Sequence, residues 1–318
     1  MSSIRRLLPS VLAALAFTAT VSCQVADEDA VAAGKPSPVS ARGTPEPSAS
    51  RSSPSAPPSA VDTGAAVHKA LNALPHNVGR YTIAVEDLDN RDPVVHGADT
   101  GGYDTASIVK VDILAALLLR AQDRGTWLTA EQRRLASAMI RSSDNQAADA
   151  LWRTIGGAQG LDAANERLGL TATVAGTGGH WGLTRTTAAD QLILLEAVFG
   201  DVSPFTSRSR GYVQSLMSDV VKGQRWGISA AAEASQADGS TVALKNGWLP
   251  RTATGLWDVN SIGRIEHGGR TLLVSVLSDG QPSHQAGIDL VEQVATTAVR
   301  ALVDATCPPP AGSRKIAP

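Results

Sequence analysis

The spacing of hydrophobic and polar positions changes twice between residues 61 and 303. Apolar residues first recur at helical spacing over 61–74, and two short strands follow at 81–86 and 94–96. In the next six segments, apolar residues recur every three to four positions, as in helices that pack one face against a core. These predicted helices are 107–122, 129–140, 146–155, 161–168, 187–199 and 207–220.

Strand-like segments return in the last third of the chain. The pattern predicts strands at 242–245, 257–265 and 271–277, followed by an amphipathic helix at 286–303. This order of elements predicts an α+β fold, in which an antiparallel sheet is flanked by the two terminal helices. An all-helical subdomain is expected beside the sheet, with the active site between them.

The first 22 residues resemble a bacterial export signal. Arg5 and Arg6 precede fifteen mostly apolar residues, 7–21, whereas about 20 are needed to span a bilayer as a helix. Cys23 follows a small residue as in a bacterial lipobox, although Thr20 stands where leucine is usual. We expect an exported lipoprotein anchored through Cys23 on the extracellular face of the cell membrane. A secreted protein with an ordinary signal is the alternative.

Residues 36–60 are almost all proline, serine and alanine, with seven Pro, eight Ser and four Ala in twenty-five positions. Such a segment buries too little apolar surface to offset the entropy lost on ordering. We therefore expect 1–22 to be a signal peptide, 23–60 a disordered linker, 61–306 the folded domain and 307–318 a disordered tail.

Composition and charge exclude several classes of function. The net charge is −2, from 28 basic and 30 acidic residues, so the chain has no basic surplus for nucleic acid. Its two cysteines, Cys23 and Cys307, exclude a disulfide scaffold and a multi-cysteine metal site. We expect a monomer without metal or cofactor. Its partner is expected to be a small-molecule or cell-wall peptide substrate, and a membrane only through Cys23.

Ser107 and Lys110 form an S-x-x-K motif that occurs once in the chain. Residues three apart lie on the same helix face, so we expect the lysine amine beside the serine hydroxyl. Burial by Leu114 and Leu117 would lower the lysine pKa and let it act as the base for a Ser107 nucleophile. A capped helix with a solvated lysine is the alternative.

Ser143, Asp144 and Asn145 form an S-D-N motif between two predicted helices. We expect Ser143 to pass a proton to the leaving group, and Asn145 to hold Lys110 and a substrate amide. Asp144 is expected to face inward and fix the loop. A helix N-cap also explains Ser or Asp at this place, and the two roles are compatible.

Lys245, Asn246 and Gly247 lie on a predicted strand, and Trp248 follows them. We expect this segment to bind substrate, with Lys245 attracting a substrate carboxylate and Gly247 allowing close backbone approach. The backbone N–H groups of Trp248 and Ser107 are expected to form the oxyanion hole. A strand-end turn without a catalytic role is the alternative.

Together these motifs closely resemble class A β-lactamases, over about 61–303 of the chain. The resemblance implies the β-lactamase/transpeptidase-like fold and an acyl-enzyme mechanism with Ser107 as nucleophile and Lys110 as base. Asn246 departs from it, because threonine or serine is usual there. Further positions that carry the resemblance are Ala147-Ala148, Leu151, Ile155-Gly156-Gly157, Gly160-Leu161, Leu168-Gly169 and Thr186-Thr187-Ala188-Ala189.

The predicted loop 170–185 also departs from that family. It lacks the E-x-x-L-N pattern whose glutamate activates the deacylating water, and no Asp or Glu lies between Thr171 and Ala189. We expect a chain that acylates but hydrolyses penicillins slowly unless another group replaces the glutamate. His180 is the candidate for that group, whereas Glu166 belongs to the preceding helix.

Three functions remain open from the sequence. The first is an exported serine hydrolase acting on an amide, an ester or a β-lactam, and the second is a D-alanyl peptidase acting on cell-wall peptides. The third is a non-catalytic, wall-associated binding module that has kept the pocket. A pure binder has no need of a lysine beside the serine, which favours the two enzymes.

Overall fold

The computed structural model describes residues 62–75, 79–97, 100–232 and 242–306. The predicted export signal, the lipidation site Cys23, the linker and the tail lie outside these residues. Within the described part, we find no helix with both the length and the apolar content of a membrane span.

A five-stranded antiparallel sheet forms the centre of the fold. Its strands are β1 Arg80–Asp87, β2 Val94–Gly97, β5 Val242–Arg251, β6 Leu256–His267 and β7 Arg270–Gln281. They are ordered β2-β1-β7-β6-β5, so β1 pairs with β7 only after the chain has passed through the helical block. Two short strands, β3 Tyr103–Asp104 and β4 Arg185–Thr186, pair separately next to Ser107.

Both faces of the sheet are apolar, so each requires a covering layer. In β7, Leu272, Val274 and Val276 belong to one buried cluster and Leu273 and Leu277 to the other, as the two-residue period of a strand dictates. The first cluster is completed by the terminal helices and the second by the helical block. This explains why the strand is almost continuously hydrophobic rather than alternating with polar residues.

The described residues form eight α-helices, two of them terminal and six in the helical block. The α+β architecture predicted from the sequence is confirmed, with the terminal helices on one sheet face and the helical subdomain on the other. The terminal helices are α1 Thr63–Asn72 and α8 His284–Thr306; the block contains α2 Val109–Asp123, α3 Ala130–Arg141, α4 Asn145–Ile155, α5 Gly157–Leu168, α6 Ala188–Phe199 and α7 Ser207–Ser218.

Two predicted boundaries are wrong next to the cleft. Strand β5 continues to Arg251 instead of ending at Lys245, and α2 begins at Val109 instead of Ser107. Beyond Lys245 the β5 backbone continues to pair with β6 as far as Arg251, although the apolar pattern has ended. Before α2 the opposite holds: Ile108 is fully buried, but its backbone forms a 3₁₀ turn, so the apolar pattern begins before the α-helix does.

Asp112 is a carboxyl buried inside the helical block. It is 1% exposed, and its Oδ1 accepts a hydrogen bond from Gln191 Nε2 at 3.2 Å. Burial raises the pKa of Asp112 to about 7, because the charged form loses its hydration. The folded protein therefore keeps this carboxyl protonated at pH values where the unfolded chain ionises it.

We predict that Asp112→Asn stabilises the protein at about pH 8 and changes its stability little below about pH 4. Between these values the unfolded wild type loses the proton first, so its free energy of unfolding falls by about 1.4 kcal/mol per pH unit. Above the folded pKa the penalty is constant, on the order of 4 kcal/mol. Urea unfolding at several pH values measures the difference, and a gap that does not widen with pH would contradict the prediction.

Candidate active site

Ser107 lies in a short 3₁₀ turn immediately before α2. The preceding Ala106 has φ +48°, a left-handed conformation that costs a non-glycine residue about 1–2 kcal/mol. Asn260 of β6 supports the turn, because its Nδ2 donates to the carbonyl oxygens of Asp104 at 2.9 Å and Thr105 at 3.1 Å. A buried amide thus ties the strained turn to the sheet.

Gly247 of β5 packs directly against the same turn. A Cβ atom at this position would lie 2.7 Å from the Ser107 nitrogen and 2.8 Å from the Thr105 oxygen. The Ser107 turn thus approaches the strand backbone closely at Gly247; that a substrate also binds along this segment stays a prediction. A side chain at 247 would push the strand away from Ser107.

Lys110 lies in the first turn of α2, and oxygen atoms surround its amine. Its Nζ is 3.0 Å from Ser107 Oγ and 2.7 Å from Asn145 Oδ1. It also lies 2.6 Å from the carbonyl oxygen of Ser143 and 3.0 Å from Ser143 Oγ. The contact with Ser107 is the one through which a neutral amine can accept a hydroxyl proton.

Burial controls the charge on both lysines of the site. It lowers the pKa of Lys110 to about 8, and the negative charges of Asp144 and Asp149 only partly oppose this shift. The pKa of Lys245 is lowered well below its ordinary value, first by burial and then by the positive charge of Lys110. A neutral amine is therefore accessible near neutral pH.

Ser143 connects the two lysines. Its Oγ is 3.0 Å from Lys110 Nζ and 3.0 Å from Lys245 Nζ, and its φ of +58° is again left-handed. Asp144 is exposed rather than facing inward as expected, and it accepts a hydrogen bond from the Ala147 nitrogen at 2.7 Å as the N-cap of α4. The motif therefore caps a helix and also holds a hydroxyl between two amines.

Asn246 is not brought into the cleft by its side chain, contrary to the prediction that it binds substrate. Neighbouring residues of a strand point to opposite faces, so Lys245 and Asn246 diverge. The Asn246 amide donates to the carbonyl oxygens of Gln224 at 2.8 Å and Trp226 at 2.9 Å, and accepts from Ser261 Oγ at 2.6 Å. Only its carbonyl oxygen, 2.8 Å from Lys245 Nζ, contacts the site.

A cleft of about 390 Å³ opens beside Ser107. Lys245, which is 1% exposed, is not among the residues that line this cleft; its Nζ contacts Ser143 Oγ at 3.0 Å. The side chains brought together in the cleft come from the Ser107 turn, α4, the loop 170–185 and β5. They include Ser107, Asn145, Asp149, His180, Trp181 and Trp248.

Two of these residues, Asp149 and Trp181, were missed by the sequence reasoning. The Trp181 ring centroid lies 4.9 Å from Lys110 Nζ, and its Nε1 donates to Asp149 Oδ1 at 2.8 Å. Asp149 is one helical turn beyond Asn145, which places both on the same face of α4 and was a usable signal. No spacing in the sequence relates Trp181 to either residue.

Comparison with known proteins identifies the family. Residues 126–302, more than half of the chain, match the model described as the beta-lactamase enzyme family. This chain belongs to the beta-lactamase enzyme family. The match includes Ser143 and Lys245 and begins downstream of Ser107 and Lys110.

Solved structures of the beta-lactamase fold resemble the chain over most of its length. TLA-1 extended-spectrum beta-lactamase is 16% identical with a TM-score of 0.64, over 77% of this chain and 99% of that one. A class A beta-lactamase from Bacteroides cellulosilyticus is 17% identical, with a TM-score of 0.62 and coverage of 77% and 98%. PBP-A is 19% identical, with a TM-score of 0.60 and coverage of 76% and 95%. At these identities the similarity shows the fold.

A curated relative comes from Mycobacterium tuberculosis and carries the name "Putative lipoprotein LppW". It is 27% identical over 175 residues, which are 53% of this chain and 54% of the relative. The chain therefore spans about half the length of the curated relatives it matches.

We predict that Gly247→Ala lowers the free energy of unfolding by about 1–3 kcal/mol, because the added methyl group overlaps the Ser107 turn. The matched control is Gly211→Ala on α7, where nothing lies within 4 Å of an added Cβ. That change should be neutral or raise stability by up to about 1 kcal/mol, as alanine favours a helix. Urea unfolding compares the two variants, and equal stability would contradict the close packing at Gly247.

Proposed function

We propose that this protein is an exported serine hydrolase that forms an acyl-enzyme through Ser107, with Lys110 as the base. The 3.0 Å contact between Lys110 Nζ and Ser107 Oγ is the observation that carries the proposal. It gains weight from the pKa of Lys110, lowered to about 8, because a charged ammonium accepts no proton. Membership of the beta-lactamase enzyme family agrees with this chemistry.

The contacts around the two lysines give the order of the proton transfers in the proposed acylation. Neutral Lys110 takes the Ser107 proton while Oγ attacks the substrate carbonyl carbon. The developing oxyanion is stabilised by the backbone N–H groups of Ser107 and Trp248. The proton then passes through Ser143 Oγ to the departing amine or alkoxide, whose bond to the carbonyl carbon breaks. Lys245, on the other side of Ser143, places its Nζ 3.0 Å from this hydroxyl oxygen and helps to orient it.

The proposed substrate is an amide, an ester or a β-lactam that carries a carboxylate. A carboxylate bound near Ser143 favours the charged form of Lys245, whose Nζ lies 3.0 Å from Ser143 Oγ, so the two attract each other. Acylation by a penicillin has a precedent in the fold, since a variant of PBP-A has been captured as an acyl-enzyme complex with penicillin G. Slow penicillin turnover remains the expectation, because the loop 170–185 has no carboxylate.

A D-alanyl peptidase acting on cell-wall peptides is the second candidate. The absence of an acidic residue from the loop 170–185 favours it, as does the similarity in fold to PBP-A. Export and a lipid on Cys23 suit either enzyme, and the name of the mycobacterial relative supports this location. Release of D-alanine from a pentapeptide, compared with opening of a chromogenic cephalosporin, distinguishes the two candidates.

A non-catalytic binding module is the third possibility. It has no requirement for an amine with a lowered pKa beside the serine, and keeping Lys110 uncharged in a buried position lowers stability. The Ser107–Lys110 pair therefore favours an enzyme.

We predict that a fluorescent penicillin labels the wild type covalently and that Ser107→Ala abolishes the label. Lys110→Ala should slow labelling by about 100- to 10,000-fold, the usual loss when a general base is removed. Ser142→Ala is the matched control, because this exposed serine lies next to Ser143 and should label normally. Intact mass measures the adduct; label retained by Ser107→Ala refutes the nucleophile, and no adduct on the wild type favours the binding module.

We predict that the acylation rate rises about tenfold per pH unit below the pKa of Lys110 and levels off above about pH 8. The sign follows from the role of the amine, because only its neutral form accepts the Ser107 proton, and that form increases with pH. Labelling rates between about pH 6 and 9.5 test this. A rate that falls over this range would exclude Lys110 as the base.

A further inference from the structure

Asp149 is the acidic side chain among the described residues that line the cleft beside Ser107. The loop 170–185, which borders the same cleft, contributes His180, Trp181 and glycines but no carboxylate. The acid instead comes from α4, one turn beyond Asn145, whose Oδ1 is 2.7 Å from Lys110 Nζ. One face of α4 thus carries both Asn145, which contacts Lys110, and the carboxylate of Asp149, and both residues line the cleft.

Trp181 fixes the orientation of this carboxylate. Its Nε1 donates to Asp149 Oδ1 at 2.8 Å, and this is the hydrogen bond that the described residues make to the Asp149 side chain. Oδ2 is therefore left to accept a proton or a hydrogen bond from water. The Trp181 ring centroid also lies 4.9 Å from Lys110 Nζ, so the indole contacts both the Asp149 carboxylate and the Lys110 amine.

Water can reach Asp149 from a second cavity. This adjoining space of about 480 Å³ is lined by Asp149 and Gly179, which also line the cleft, and by Trp152 and Arg153. Asp149 thus lies at the boundary between the two spaces. A water in this second space therefore has Asp149 as a neighbour and adjoins the cleft that contains Ser107.

We propose that Asp149 is the catalytic base that activates water for hydrolysis of the Ser107 acyl-enzyme, in place of a carboxylate from the loop 170–185. The inference rests on the acyl-enzyme proposed above. Asp149 Oδ2 removes a proton from water as the water oxygen bonds to the acyl carbon. Solvent has meanwhile protonated the Lys110 amine, which was left neutral by acylation. The bond from that carbon to Ser107 Oγ then breaks, and Oγ takes this proton from Lys110. The product leaves as a carboxylic acid, and Asp149 returns its proton to solvent.

His180 is the competing candidate for this role. Its ring lines the cleft, but no described residue makes a hydrogen bond to it, so nothing in the described structure fixes its orientation. Asp149 has such a partner in Trp181 and carries a charge opposite to that of Lys110. A base works best when it is held in hydrogen-bonding reach of its water, which favours Asp149.

The test separates acylation from deacylation in the full-length protein, with a fluorescent penicillin as the probe. Asp149→Asn keeps an oxygen that can accept from Trp181 but removes the base. Its acylation rate should stay within about threefold of wild type, while the adduct half-life lengthens about 100-fold or more. Removing this negative charge lowers the pKa of Lys110 further, so acylation near neutral pH is not slowed.

Controls distinguish a base from a structural residue. Glu166→Gln removes an exposed acid from the neighbouring helix and should leave both rates unchanged. Asp149→Glu should recover part of the deacylation rate. Hydroxylamine, which attacks the ester without a base, should release the Asp149→Asn adduct as fast as the wild-type adduct if the cleft is intact.

Each remaining outcome overturns the inference. An Asp149→Asn adduct that decays at the wild-type rate, or a wild-type adduct that never decays, excludes Asp149 as the base. So does an adduct stabilised by His180→Gln but not by Asp149→Asn. Absence of a Ser107 adduct on the wild type is a different failure, because it removes the proposed function itself.

Discussion

The site depends on one constraint, which is that the Lys110 amine is kept out of water while it touches Ser107 Oγ. In water a lysine stays charged at neutral pH and has no lone pair to offer, so the proposed reactivity of the S-x-x-K motif depends on burial as well as on spacing. Helix α2 places the amine inside the protein, and the Trp181 ring covers it on the cleft side. Lys245 is affected in turn, because the positive charge of Lys110 adds to burial in lowering the pKa of Lys245.

Strained backbone on both sides of the amine holds this arrangement. Ala106 and Ser143 both have positive φ values, and each is followed by the start of a helix. Such conformations persist only where the surroundings impose them, and here Asn260 supports one turn while the N-cap of α4 supports the other. Between these two turns, the hydroxyls of Ser107 and Ser143 both lie 3.0 Å from one nitrogen.

The cleft lies in a fold shared with known beta-lactamases, but its carboxylate comes from a helix and not from the loop 170–185. The chain has the architecture of class A beta-lactamases and of PBP-A, yet its loop 170–185 brings an indole and an imidazole to the site instead of a carboxylate. The carboxylate that does reach the cleft is Asp149, carried by a helix of the core rather than by a loop. A helix fixes a side chain more tightly than a loop does, so water activation from α4 needs only one orienting partner, Trp181.

The sequence alone determined the α+β architecture, the three motifs and the proximity of Ser107 and Lys110. The architecture and this proximity follow from the two-residue period of strands and the roughly 3.6-residue period of helices, which can be read from neighbouring positions. Tertiary structure decided the rest. Asn246 turns away from the cleft because strand residues alternate and Ser261 lies behind it, and Gly247 packs against the Ser107 turn. Asp149 contacts Trp181, which lies 32 residues further along the chain, and this contact depends on how α4 packs beside the loop 170–185. Local sequence patterns do not predict such contacts, because the contacts form only when separate elements pack into one core.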